Sequence, residues 1–329
     1  MTTPASTAQP RIRRTDHLDA AEVVDVLALA RAAGDTDGAY PLSEHVVLHL
    51  RHGGEAPAVH LLNHDSDGAL AGYAHLDTTD AVDGPSAELV VHPQRRRHGL
   101  GRALVSAVIE AADAADERGR LRLWAHGDHP SAGALALRLG FARSRVLLQM
   151  RRSLFAPVPE PAMPAGVTVR AFSPGEDDEA WVALNARAFA DHPDQGRWTL
   201  ADLRVRMAEP WFDPAGFLLA VRAGEVVGFH WTKVHGEVHR HPHPAGAVPH
   251  HHEPIGEVYV LGVDPAAHGA GLGSALTLAG LRHLRRLGLD QAMLYVDEAS
   301  TRAIALYGKL GFARWSTDVA YHRNGTGRQ

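Results

Sequence analysis

The sequence predicts an α/β (α+β) fold made of two tandem domains, each a mixed central sheet flanked by helices. An apolar run, VYVLGV, stops at Asp264-Pro265 and passes through the glycine-rich turn HGAGLG into SALTLAGLRHLRRLG, whose apolar positions recur at helical spacing. The same succession stands earlier in the chain. LVVHPQRRRHGLGRAL from Leu89 aligns with LGVDPAAHGAGLGSAL from Leu261 at an offset of 172 residues, and LRLGF at Leu137 aligns with GKLGF at Gly308 at an offset of 171. A proline, two loop glycines and a Leu-Gly-Phe ending held in register mark a duplicated domain. A length of 329 residues also exceeds the usual span of one hydrophobic core.

Residues 1–10 read as a disordered tail. Asp19 to Ala33 is Ala- and Val-rich and amphipathic, a helix that gives way to the polar turn GDTDG at Gly34–Gly38. A second helix starts near Ser43. From His60, HLLNHDSDGALAGYAHL reads as a hairpin around a D-S-D-G turn. A third strand covers Ala87–His92, Pro93 ends it, and the helix RALVSAVIEAADAADERG follows the loop. A strand at Leu121–Ala125 and a short helix ending in LRLGF close the first domain, residues 11–155. FAPVPEPAMPAG, Phe155 to Gly166, holds four prolines without periodicity and reads as a linker, with 156–166 between the domains. The second domain, 167–325, repeats the order: helices at Asp177–Ala190 and Leu200–Ala208, a hairpin in GFLLAVRAGEVVGFHWTKV, then the strand, glycine turn and helix. In each half the hairpin strands are expected to be antiparallel and the two strands around the glycine loop parallel.

Composition narrows the function. The formal net charge of -5 gives no reason to expect nucleic acid. With no cysteine, disulfides, a cysteine nucleophile and thiolate metal sites are excluded. No apolar run approaches the 18 or more residues of a membrane span, and MTTPASTAQPRIRR lacks the apolar core of a secretory signal. The expectation is a cytoplasmic monomer with no membrane partner. Seven histidines between His235 and His252 (235, 239, 241, 243, 250, 251, 252) lie in a Pro- and Gly-rich setting without metal spacing, so they read as an exposed insertion and no metal is assigned.

The glycine turn sits where a strand becomes a helix. Backbone N–H groups there are unpaired and lie at the positive end of the helix dipole, which suits a phosphate. GxxxxGK[ST] is absent, and no Gly-x-Gly-x-x-Gly opens the turn. Taken alone, the stretch is either a tight turn or an anion cradle. From His268, H-G-A-G-L-G resembles the [Q/R]-x-x-G-x-[G/A] pyrophosphate loop of the GCN5-related N-acetyltransferases, with His268 in place of Gln or Arg. Together with HWTKVH, AFADHPDQGRW, WFDPAGF, GEVYVLGVDP and ALYGKLGF in the second half, the tandem pair resembles the mycothiol synthase family of actinobacteria.

That resemblance implies an acetyl-CoA-dependent N-acetyltransferase acting on the cysteinyl amine of an amino-sugar cysteine conjugate, Cys-GlcN-Ins. It implies Glu257 as general base and Tyr307 as general acid to the departing CoA thiolate. A phenol titrating near 10 can donate usefully to a thiolate of about 8.5, and an α-amino group of about 7.7–8.0 needs only a modest base. The backbone N–H of Val263 is the candidate oxyanion donor, if the strand splays there. Leu261, Gly262 and Val263 would pair with the pantetheine arm, and His268, Gly269, Ala270, Gly271, Leu272, Gly273 and Ser274 would hold the pyrophosphate. His268 makes that grip partly pH-dependent. Ser300, Arg302 and Ala303 follow the next strand on the cofactor side, with Ser300 where many relatives have Asn. Acceptor contacts carried over from the family are Asp37, Asp194, Lys233, Glu257 and Tyr295.

Pro85 and Ala136 stand in register with Glu257 and Tyr307, so the first half is expected to be non-catalytic and to form one wall of the acceptor cleft. Glu88 is near but aligns with Val260. The first half keeps its glycine loop, and Leu89, Val90, Val91, Arg96, Arg97, His98, Gly99, Leu100, Gly101 and Arg102 are candidates to bind a second acetyl-CoA. Acetylation of another small amine, such as an aminoglycoside or polyamine, and a non-catalytic acyl-CoA sensor are the competing readings.

Overall fold

The structure is a computed structural model describing residues 12–53, 58–80, 82–190, 195–236 and 254–325. The tail at 1–10, Asp194 and the histidines from 239 to 252 therefore lie outside the described residues. In chain order the elements are β1 (Ile12–Thr15), α1 (Ala20–Asp37), α2 (Glu44–His52), β2 (Ala58–His64), β3 (Leu70–Asp77), β4 (Ser86–Val91), α3 (Leu100–Ala115), β5 (Leu121–Ala125), α4 (Pro130–Arg138) and β6 (Ala142–Ser153). They continue with β7 (Val167–Ala171), α5 (Asp178–Ala188), α6 (Leu200–Met207), β8 (Phe217–Arg222), β9 (Glu225–His235), β10 (Ile255–Val263), α7 (Leu272–Arg286), β11 (Gln291–Asp297), α8 (Thr301–Lys309) and β12 (Ala313–Arg323).

Two compact units result, Met1–Leu147 with Ser316–Gln329, and Leu148–Trp315. The division thus falls within β6 and within β12, and the chain's last strand completes the first unit, where Val319 to Arg323 pair antiparallel with β5. Strand order is β1-β2-β3-β4-β5-β12 in the first unit, and β11-β10-β9-β8-β7 with the end of β6 beside β11 in the second. Each sheet is mixed: β4 and β5 run parallel, as do β10 and β11, and the hairpins are antiparallel.

Both sheets are covered on two faces. In the first unit Leu104, Val108 and Ala112 of α3 pack with Leu76 and Leu121, while Val26, Leu29 and Ala30 of α1 pack with Leu62, Tyr73 and Val90 on the other face. In the second unit α7 supplies Leu272 and Leu276 to one face. The other face is aromatic: Trp181 stands edge-on to Phe217, Phe229 and Trp231, with ring centroids 5.3–5.7 Å apart.

The GDTDG stretch differs from its expected turn. Residues 34–37 are the last turn of α1, which starts in a capping box between Asp19 and Glu22 and stops only at Gly38 in the left-handed region. A helical Gly34 costs about 1 kcal/mol, less than the cap and the buried face of α1 return. Ser43 caps α2, and Asp65 accepts from the amides of Asp67 and Ala69 to close the D-S-D-G hairpin. Four strands went unread in the sequence, β1, β6, β7 and β12, because each is short or lacks clean alternation.

Candidate active site

In β10 the parallel ladder to β11 covers Gly256↔Ala292 and Glu257↔Met293 and goes no further, although both strands continue. The strands splay from Val258 onward. On its other edge β10 stays paired with β9 to Val263, where the Asp264 amide donates to the Val227 carbonyl at 3.0 Å. That bond makes Val263↔Gly228 a non-hydrogen-bonded pair, so the Val263 N–H points away from β9, into the splay. By alternation the Leu261 N–H points the same way. Two main-chain donors, Leu261 and Val263, therefore face the opening between β10 and β11.

The strand ends in a short turn, and α7 then begins with no side-chain cap on its amides; its N-cap, Gly271, is left-handed at φ 79°. The Ala275 amide already bonds to the Gly271 carbonyl, so the Leu272, Gly273 and Ser274 amides are those without an intrahelical acceptor. A Cβ at Gly273 would meet only Val263 Cγ2, at 3.8 Å. Protein packing therefore does not demand glycine there, whereas a ligand brought against the amides would. The loop fits a diphosphate on these grounds. His268 places Nε2 3.1 Å from the Val263 carbonyl; since a carbonyl only accepts, Nε2–H donates, and the ring ties the loop back to the strand.

Glu257 is buried on the aromatic face at the last rung before the splay. Lys233 is its cross-strand partner, and the Lys233 ammonium lies 4.4 Å from the Trp211 ring and 5.1 Å from that of Tyr259. Two residues along β9 on the same face, His235 puts Nε2 2.6 Å from Glu257 Oε2. Burial raises the Glu257 pKa, but the hydrogen bond from His235 and the charges of His235 and Lys233 outweigh it and leave the carboxyl below its ordinary value. Tyr307 on α8 is edge-on to Phe312 at 5.8 Å, and burial pushes its phenol up to about 12, so it stays protonated at neutral pH. Ser300 occupies the N-cap of α8 but makes no capping bond with its side chain. Arg302 and Ala303 lie in the first turn of α8. Tyr295, 43 % exposed on β11, accepts from Gln149 Nε2 at 2.7 Å.

The first unit repeats the plan with different fittings. Its parallel ladder ends at Glu88↔Trp124, so Glu88 also stands on the last rung before a splay. Sequence alignment set Glu88 opposite Val260. An irregularity between Val258 and Val260 lets β10 carry Tyr259 as an extra residue, one source of the mismatch. The Glu88 carboxylate is closed off, however. It accepts from the Ser43 amide at 2.5 Å and faces His126 Nε2 at 3.6 Å, and His126 Nδ1 is held by Asp318 at 3.0 Å. Arg96, in the loop position of His268, bonds through Nε to the Val91 carbonyl at 3.2 Å and takes Asp37 bidentately at 2.7 Å. Arg96 holds the Asp37 carboxyl below its usual range. A predicted acceptor contact and a predicted cofactor contact thus meet each other. Leu89, Val90 and Val91 form the end of β4; His98 precedes Gly99, the left-handed N-cap of α3, which opens with Leu100, Gly101 and Arg102.

The sequence reading missed His235 as a site residue by counting it with the histidine-rich stretch. The signal was the spacing in HWTKVH, which puts Lys233 and His235 on one strand face.

The acetyltransferase (GNAT) family model matches residues 27–141 and 180–312, once per unit. A mycothiol acetyltransferase from Salinispora arenicola is 62% identical over 316 residues, covering 95% of this chain and 97% of its own. One from Acidothermus cellulolyticus is 58% identical over 326 residues, covering 97% and 96%. Among solved structures, a GCN5-related N-acetyltransferase from Sphaerobacter thermophilus superposes with TM-score 0.66 at 26% identity, covering 95% of each chain. A tandem GNAT protein from the clavulanic acid biosynthesis pathway shares the fold, with TM-score 0.71 at 22% identity over 95% of this chain and 98% of its own. The chain belongs to the acetyltransferase (GNAT) family, and within it to the mycothiol acetyltransferases.

Proposed function

We propose that the chain transfers acetyl from acetyl-CoA to the cysteinyl amine of Cys-GlcN-Ins, the last step of mycothiol biosynthesis, at one active site in residues 167–325. The observation that carries the chemistry is the parallel ladder opening just beyond Glu257, ahead of the uncapped amides of α7. The acceptor follows from the mycothiol acetyltransferases that match the chain almost end to end.

Acetyl-CoA lays its diphosphate on the Leu272–Ser274 amides and its pantetheine along Leu261–Val263. Its thioester oxygen takes a main-chain N–H freed by the splay nearer Glu257, where it stabilises the oxyanion as charge develops; Val263, about 20 Å further along the extended strand, lies at the diphosphate end. Glu257, held ionised against its burial by the hydrogen bond with His235 and the charge of Lys233, accepts a proton from the ammonium of the acceptor; Tyr307, kept protonated by burial, gives one to the departing thiolate. Lys233, Tyr295 and Asp194 contact the hydroxyl-rich acceptor. Asp37 of the first unit is engaged with Arg96. Residues 11–155 are non-catalytic, because the Glu88 carboxylate is already taken by Ser43 and His126; residues 156–166 belong to the second unit, where Arg282 donates to the Val158 carbonyl at 3.2 Å. The protein is a cytoplasmic monomer that needs no metal.

Glu257→Gln and Tyr307→Phe, assayed for CoA release with Cys-GlcN-Ins, are each expected to lose about 100-fold or more in kcat with small changes in KM for acetyl-CoA. Undiminished rates in both would overturn these roles. An equal rate with an aminoglycoside or polyamine in competition would overturn the acceptor, and no turnover by the parent chain would leave an acyl-CoA sensor.

A further inference from the structure

Glu257 raises a problem that its geometry also answers. It is buried, so a proton it takes from the acceptor has no direct way into water. The group bonded to it, His235, is in contact with solvent, with 37% of its side chain exposed. The bond between them is 2.6 Å, between Nε2 and Oε2, and is fixed by the register that pairs Ile255 with His235 two rungs from Glu257↔Lys233, on the same face. We propose that His235 is the proton outlet of Glu257, a positioning residue that carries each proton from the buried carboxylate to water. This rests on Glu257 being the base.

The proton balance closes. The acceptor enters as an ammonium, and its amide product has lost two protons. One returns to the thiol side, where Tyr307 supplies the thiolate and must be refilled. The other leaves: from nitrogen to a Glu257 oxygen, from Oε2–H to the Nε2 lone pair of a neutral His235 that carries its proton on Nδ1, and from the Nδ1–H of the resulting imidazolium to water. Proton exchange of the exposed ring with water then restores the Nδ1–H tautomer. No oxidant, metal or further reactant is needed.

The first unit offers an internal contrast. Glu88 occupies the matching last rung and also faces an imidazole, His126. There the second ring nitrogen is held by Asp318, and the side chain is only 14% exposed. A histidine clamped by carboxylates on both sides passes nothing on. The working unit has the carboxylate–imidazole pair with its ring open to solvent; the other unit has it sealed.

Besides the pair itself, this face carries Lys233 and, on α6, buried Arg206, which donates to the Tyr259 hydroxyl at 2.9 Å. On β9, Lys233 acts on Glu257 and sits over Trp211 and Tyr259. On α7, which packs on β9 and β10, His283 is 3.4 Å from Asp213. In β9 itself, His230 is bonded through Nδ1 to the Leu276 carbonyl. None of these histidines is bonded to Glu257.

Full-length His235→Gln and His235→Ala test the outlet. The glutamine amide can still donate to Glu257 but cannot carry a proton. In His235→Gln, kcat is expected to fall at least tenfold while both KM values stay within twofold, with loss of the histidine limb from the kcat–pH profile. Added imidazole should restore His235→Ala several-fold. A His235→Gln variant with parental kcat and profile would overturn the proposal, as would equal losses in both variants without imidazole rescue, which mark a structural role. Glu257→Gln run alongside separates the two readings. If it keeps full activity, the base assignment fails; if it is inactive while His235→Gln is not, only the outlet fails.

Discussion

At Arg97 and Gly269 the two glycine loops hold one backbone conformation with different residues. Arg97 has φ 69° and Gly269, at the same loop position, φ 86°. For an L-residue this region costs about 1–2 kcal/mol. Arg97→Gly is therefore expected to stabilise the protein by up to about 1 kcal/mol, the glycine's extra unfolded-state entropy taking back part of the gain. Gly269→Ala should destabilise it by about 1 kcal/mol and raise KM for acetyl-CoA. Paired urea titrations check both; a stabilised Gly269→Ala would show that the loop is not held in this conformation. The same loop shows why some site residues were legible and others were not. The strand–turn–helix context of Glu257, Val263 and the glycines could be read directly from a contiguous motif, while the roles expected of them came from the family resemblance. The Asp37–Arg96 pair joins residues 59 positions apart, and no local pattern announces it.

The α7 helix shows how an element aims the site. Gly280 faces β9, where a Cβ would come within 2.1 Å of His230 Cε1, and the His230 ring is fixed by its bond to the Leu276 carbonyl one turn earlier. The absent side chain lets α7 lie close on β9 and directs its N-terminal amides toward the end of β10. Overpacking of this kind costs about 1–3 kcal/mol, so Gly280→Ala should lose that much in urea and weaken acetyl-CoA binding. Unchanged stability would mean that α7 has room to move. At this scale most of the fold was visible beforehand: the helices, both hairpins and the parallel strands carried periodicity, caps or Asp- and Gly-rich turns. The end of α1 was misplaced because GDTDG is a turn by composition, while the Asp19 cap and Gly38 decide where the helix runs. β6 and β12 were missed for another reason. Their two ends belong to different units, so neither carries one hydrophobic alternation along its length.

The last strand makes the first unit depend on the whole chain, and pH is the way to see it. Asp318 on β12 holds His126 Nδ1 at 3.0 Å and the Gly127 amide at 2.9 Å, while Glu88 stands on the other side of the ring. Burial opposes the charged imidazole, but the two carboxylates outweigh it and raise its pKa to about 10. A raised pKa contributes stability that is complete below the unfolded value of about 6.5 and is lost as pH climbs through 10. His60 and His75 act in the opposite sense: burial lowers them to about 4 and about 3, so their contribution is complete above about 6.5 and is lost as pH falls. The first unit should accordingly be most stable near pH 6.5, with an alkaline decline, on the order of a few kcal/mol by pH 10, that comes from His126 alone among these three. Hydrogen exchange of β4 and β5 amides, combined with urea unfolding at pH 6, 8 and 10, measures that slope. His126→Gln should lower stability at pH 6 and flatten the alkaline arm while leaving the acid arm in place. Asp318→Asn should reduce the slope without abolishing it, since Glu88 remains. An alkaline arm of parental steepness in His126→Gln would mean that another group closes the first unit and that the returning strand does not hold it through this imidazole.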